Sequence, residues 1–194
     1  MKVKQQSAIK KFLLREFEEQ AGMTIFEKQE SYLWDYIEQT KGKSSSQFKM
    51  LAQTILPRIA LYYALLDFET EKEAVFPIMR KYMIDIVAAG KHRSTAGMEI
   101  IPGFFYLYRK IFLKIMRTTD LQESTQEQGK GYYNITITRC LWHDACVEHG
   151  CPELCLVFCD VDDVTYGGLK KIGFSRTGTL GYGSDCCDFH FFRK

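Results

Sequence analysis

The sequence predicts an α+β fold: an N-terminal helical bundle packed with a C-terminal, mainly antiparallel sheet. Three observations carry that expectation. Up to about residue 117 the apolar residues recur at helical spacings. From Tyr133 to Arg139 the chain reads YNITITR, an alternating and β-branched run typical of a strand. Between them, residues 118–131 (TTDLQESTQEQGKG) contain no Val, Ile, Phe, Tyr or Trp and read as a polar loop. At 194 residues the chain is expected to form one domain, with a helical layer over 1–117, the loop 118–131 and a thiol-rich α+β part over 132–194. A chain this long buries about 70% of its unfolded surface, so it needs no metal or disulfide to fold.

The elements follow in order. Phe12, Leu13, Phe17 and Ala21 mark a first helix, with Gly22 as its C-terminal stop. Thr24 and Glu27 form a capping box for a second helix carrying Tyr32, Leu33, Tyr36 and Ile37, closed by Lys41, Gly42 and Lys43. Ser44 and Gln47 cap a third helix over about 46–67. It is apolar on most sides, with Pro57 either kinking it or marking its true first turn. Thr70 and Glu73 open a fourth that runs to Gly90 with a kink at Pro77. A fifth runs from Met98 or Pro102 to Arg117, and its Phe104, Phe105, Tyr106, Tyr108 and Phe112 read as core. Beyond the strand, a short helix over 141–149 ends at Gly150, and Pro152 opens another carrying Leu154, Cys155, Leu156, Phe158 and Cys159. Residues 174–180 and 188–192 then form an antiparallel pair of strands across a turn at 181–187.

Composition narrows the function classes. The 26 Lys and Arg against 24 Asp and Glu leave a net charge of +2, so there is no electrostatic footprint for nucleic acid. No run of like charge suggests an anionic membrane. The N-terminal residues hold no uninterrupted apolar stretch of the secretory kind. The most apolar run, 100–116, is broken by Pro102, Arg109, Lys110 and Lys114, short of the roughly 20 apolar residues a span needs. The expectation is a soluble, cytoplasmic protein with a small-molecule substrate, no nucleic acid and no membrane partner. A homo-oligomer is left open.

All seven cysteines (140, 146, 151, 155, 159, 186 and 187) lie after residue 139. In a reducing compartment they read as free thiols for catalysis or metal, or as small apolar core residues. Cys151, Cys155 and Cys159 fall on one helical face and could hold a soft metal, but the C-x-x-C spacing of structural zinc is missing. His143, Asp144, Glu148 and His149 could add ligands or a general base, or form a solvated face. There is no Ser-His-Asp order, phosphate loop or H-E-x-x-H.

A longer pattern is more specific. The runs NITITRC (134–140), GCPEL (150–154), CDVD (159–162), SRTGTLGYG (175–183) and CDFHF (187–191), with PRIALY (57–62) in the helical half, resemble the L-2-amino-thiazoline-4-carboxylic acid hydrolase family. The C-terminal part is also similar in architecture to 4-vinyl reductase-like small-molecule-binding domains. The family resemblance implies hydrolytic opening of a cyclic isothiourea acid to an N-carbamoyl cysteine. It places Cys159 and Asp162 in the family's C-x-x-D, Cys187 and Asp188 in its C-D-F, and Arg139 and Arg176 at its arginines, as candidates for the substrate carboxylate. Asn134 joins them as a substrate-binding candidate, and so does His190, which stands where the family often has arginine.

Two classes of function follow. One is a hydrolase using Cys159, Asp162, Cys187 and Asp188 on a small cyclic amidine or isothiourea acid. The other is a non-enzymatic sensor or binding module in which Cys140, Cys159 and Cys187 hold zinc or shape a pocket. A hydrolase needs Asp162 or Asp188 facing the same cavity as a thiol, with an arginine opposite.

Overall fold

The computed structural model describes residues 2–69 and 71–194. Helix α1 (Gln6–Glu16) turns back through Phe17 and Glu18 into α2 (Glu19–Gln39). Gly22 is therefore not a stop but lies in the first turn of α2. A Cβ there would stand 3.0 Å from the Leu13 carbonyl, so glycine is what lets the two helices cross closely. The Thr24 box does not form, since Thr24 lies inside α2 and its hydroxyl donates to the Gln20 carbonyl. The box at Ser44 and Gln47 does form, in both directions, and starts α3 (Ser45–Met50).

From α3 the chain passes through a π-helical turn (Leu51–Ile55) into α4 (Leu56–Glu69). Pro57 lacks an N–H for an ordinary α-turn, and the chain widens just before it, with the Leu56 N–H reaching back to Leu51. Helix α4 is buried on most sides, as its apolar sequence predicts. The cap proposed at Thr70 lies outside the described residues. Helix α5 (Lys72–Lys81) contains Pro77, a second π-helical stretch follows (Tyr82–Ala88), and α6 (Ala89–Met98) runs on through Gly90 rather than ending there. Gly103, at φ 68°, precedes α7 (Phe104–Thr118).

The segment expected as a loop contains a strand, β1 (Gln122–Gln128), paired antiparallel with β2 (Tyr132–Cys140). With sheet order β1-β2-β4-β3, β1 is an edge strand. Its sequence, QESTQEQ, satisfies backbone hydrogen bonds without an apolar face, so the alternation signal is missing. Helices α8 (Leu141–Glu148) and α9 (Leu154–Tyr166) follow, then β3 (Ile172–Ser175) and β4 (Cys187–Arg193). The last pair is antiparallel, but β3 ends earlier than expected. Residues 176–186 form a longer connection with a 3-10 turn, Leu180–Tyr182.

The sheet turns one face to the helices. Tyr133, Ile135, Ile137, Cys187, Phe189 and Phe191 point inward to pack with α7, Tyr166 and Leu169. Asn134, Asp188 and His190 point the other way, as strand alternation requires. A second core joins α1–α5 to Leu141, Cys146, Cys151, Leu154, Cys155 and Val161, so the change in composition after residue 131 is not a boundary in packing. Helix α9 lies between the N-terminal helices and the sheet, and a cavity opens along it. Among the described residues no helix is long and apolar enough to cross a membrane.

Candidate functional site

The cavity holds about 360 Å³, the size of a small-molecule site. Its floor is one stripe of α9: Cys155, Phe158, Cys159, Asp162 and Tyr166 recur every three or four residues and so share a face. Met50, Arg58, Met83 and Lys91 line it from the helical layer, while Ile137, Cys140, Cys187 and Phe189 line it from the sheet. Arg176, Leu180 and Gly181 line it from the connection before β4. Phe112 also lines it, so the aromatic set of α7 divides. Phe104 and Phe105 are core as expected, Tyr106 is exposed, and Phe112 borders the cavity.

The sequence candidates separate in the same way. Cys159, Asp162, Cys187, Cys140 and Arg176 come together on the cavity wall. Asp188, Arg139, Asn134 and His190 do not. Asp188 accepts from the Thr177 N–H and hydroxyl and from the Gly178 N–H, clasping the β3–β4 connection. Burial raises its carboxyl, but those donors outweigh it and hold the group below the usual carboxylate range. Arg139 is exposed and pairs with Asp144 and Glu123. Asn134 bridges His190 and Glu127 on the outer face of the sheet. Of the short-helix cluster only His143 reaches the cavity, while Glu148 pairs with Lys43 and the His149 ring lies against Tyr36.

Asp162 is the carboxylate on the wall among the described residues. Desolvation pushes its pKa up to about 6, and Lys91 and Arg176 keep it from rising further. Three cations share the cavity with it. Arg176 pairs with Asp163 through Nη2 at 2.5 Å, while its buried Nη1 has no partner. Arg58 is 4% exposed, stacks on Phe158 and has no partner for Nε. Burial lowers its pKa to about 10, leaving it charged at neutral pH. Lys91 is exposed along its length, and desolvation of its amine lowers its pKa, with Asp162 opposing. Near the same end, the Tyr108 hydroxyl donates to that of Tyr166.

The thiols occupy the other part of the wall. Burial pushes Cys140 up to about 12 and also raises Cys187, although the Leu180 N–H donates to the Cys187 sulfur. Cys155 stands between Cys146 and Cys159, whose S–H groups favour its thiolate and pull its pKa down, with burial opposing. Among the described residues no group of three His, Cys, Asp or Glu side chains is arranged so that it could hold a metal ion.

The turn Leu180–Tyr182 is pressed onto these sulfurs. The Tyr182 hydroxyl donates to Asp160, which also pairs with Arg80, and this ties the turn to α9. Gly181 leaves no room for a side chain: a Cβ would stand 2.8 Å from the Cys159 sulfur and 3.1 Å from that of Cys155. Gly181→Ala is therefore expected to cost about 1–3 kcal/mol of stability and to lift the turn. A thiol-reagent titration should then show Cys155 and Cys159 reacting faster than in the wild type, and unchanged kinetics would refute the contact.

Sequence reasoning missed Arg58, Lys91 and Tyr166, and placed Cys155 only in a metal set. Arg58 carries a readable signal, being the one charge between Lys49 and Asp67 in a helix otherwise built for burial. Lys91 has none, since it sits in an ordinary polar stretch.

No curated protein matches the chain significantly. Among solved structures, the Fe(II) unliganded H-NOX protein from K. algicida is similar over 96% of this chain and 95% of that one, at 10% identity and a TM-score of 0.34, too loose a likeness to build on. The model of one family, L-2-amino-thiazoline-4-carboxylic acid hydrolase, matches residues 47–191, which take in every wall residue named above, and the chain belongs to that family.

Proposed function

We propose that the cavity opens a small cyclic isothiourea or amidine carboxylic acid by hydrolysis, as in the conversion of 2-amino-thiazoline-4-carboxylate to N-carbamoyl-cysteine. The observation that carries this reading is the meeting, on one wall, of Asp162 with its raised pKa and guanidinium groups lacking full partners. An unpaired buried cation is costly, and a carboxylate ligand is its natural complement.

Arg58, with Lys91 and Arg176, takes the substrate carboxylate. Asp162, ionised above about pH 6, removes a proton from water as its oxygen adds to the ring carbon between nitrogen and sulfur. That carbon–sulfur bond then breaks. The sulfur leaves with its electron pair and takes the proton back from Asp162, so one water is consumed and one thiol released. Cys159, held protonated by its hydrogen bond to the Cys155 sulfur and by burial, and Cys187, held so by burial, face the ring as soft, polarisable neighbours.

A second route is favoured by Cys155, whose thiolate attacks the same carbon and expels the ring sulfur, which leaves with its electron pair and takes up a proton; water then displaces the Cys155 sulfur. The test is incubation with 2-amino-thiazoline-4-carboxylate, following free thiol and a mass gain of one water. Thiol release that survives Cys155→Ala supports the Asp162 route, and its loss with folding intact supports the covalent one. No product from the wild type would sink the hydrolase reading. Binding of the acid by the wild type without product would then fit the non-enzymatic alternative.

A further inference from the structure

The cavity is larger and longer than the bare ring acid needs. An amino-thiazoline carboxylate has about nine non-hydrogen atoms, whereas pockets of about 300–1,000 Å³ hold drug-sized ligands. At about 360 Å³ this cavity would remain mostly unfilled around the small acid. Its length tells the same story. Cys155 and Tyr166 both line it, and at the rise of an α-helix they lie about 16 Å apart.

The two ends differ in chemistry. Lys91 and Arg176 act electrostatically on Asp162, Arg58 acts on Lys91, and Asp162 acts on Tyr166, so the charged groups gather toward the Tyr166 end. Cys155 instead interacts with Cys140 and His143, and the turn Leu51–Ile55 packs on α8 beside them. That end is walled by Met50, Leu121, Trp142 and Cys140, which offer mostly apolar surface, with Gln122 and His143 as its polar members.

We infer that the substrate is a cyclic isothiourea or amidine acid bearing an apolar substituent, aromatic or a chain of roughly six to ten carbons, on the exocyclic nitrogen. Its carboxylate meets Arg58 and its neighbours, its ring lies against Asp162 and Cys159, and its substituent runs along α9 toward Trp142. This rests on the cavity being the hydrolytic site proposed above. Water addition to the same ring carbon and cleavage of the same carbon–sulfur bond then yield an N-substituted carbamoyl cysteine, again with one water consumed.

The experiment measures binding and turnover separately, by titration calorimetry and by thiol release. The ligands are 2-amino-thiazoline-4-carboxylate and its 2-benzylamino and 2-octylamino forms. The substituted acids are expected to bind at least thirtyfold more tightly than the bare ring. Met50→Trp, which fills the apolar end, should remove at least tenfold of that gain while leaving bare-ring affinity and thermal unfolding unchanged. Equal or tighter binding of the bare ring overturns the inference, and so does Met50→Trp leaving every affinity unaltered. Tight binding of the substituted acids without thiol release would instead refute the hydrolytic reading and leave this occupant standing. Turnover of the bare ring with exclusion of the larger acids would do the reverse.

Discussion

Asp162→Asn is expected to reduce ring opening by about a thousandfold or more, because the proton acceptor on the wall is gone while shape and hydrogen-bonding capacity remain. In the wild type, activity should rise with pH through about 6 as Asp162 ionises, and the variant's residual rate should lack that rise. Stability should move the opposite way. The folded carboxyl holds its proton up to about pH 6, the free one only to about 3.8. The folded state therefore gains from protonation below 3.8 and loses that gain as pH climbs through 6, a swing of about 2–3 kcal/mol. Asn does not titrate, so the variant should match the wild type near pH 3.5 and exceed it above pH 7 in chemical denaturation. A variant that keeps its turnover, or loses stability at neutral pH, would remove Asp162 from the proposed role.

Arg58→Met is expected to stabilise the protein and to disable it. The guanidinium is buried with an unsatisfied Nε and no salt bridge among the described residues. Methionine of similar reach would keep the packing on Phe158 and remove a desolvated charge, raising stability by roughly 1–3 kcal/mol. For a chain of this size each kcal/mol moves Tm by about 2–4 °C, which calorimetry resolves. Turnover should fall at least a hundredfold in kcat/KM. The preference for the carboxylate substrate over its carboxamide should shrink with it. A destabilised variant that still distinguishes acid from amide would mean that Arg58 only braces the helices.

Much of the fold can be read from the sequence because its signals are local. The Ser44–Gln47 box, the β-branched run of β2 and the stops at Gly42 and Gly150 depend on neighbours within a turn or two, and each element forms. What sequence misses is set by partners. Gly22 looks like a terminus until α1 crosses it, and QESTQEQ looks like a loop until β2 offers its backbone. The same division holds at the site. Spacing on α9 brings Cys159 and Asp162 to one face, whereas the family pattern ranks Asp188 equally with Asp162. Only the tertiary structure separates the carboxylate clasped by Thr177 from the one left with raised pKa beside Lys91. Arg58 and Lys91 reach the cavity from helices distant in sequence, and no local pattern announces that meeting.

The two wide helical turns have a consequence for angular phase. Met50 and Arg58 are eight residues apart, as are Met83 and Lys91, and all four line the cavity. In an uninterrupted α-helix, eight residues advance the side-chain direction about 80° beyond two full revolutions. A stretch of five residues at about 4.4 per turn takes back about 90°, all of that excess and slightly more. Each wide turn therefore acts as a rotational offset that brings an apolar residue and a cation onto one meridian of the helix. Excising a single residue from 51–55 or 82–88 would swing the cation off the cavity wall while leaving the helix itself intact.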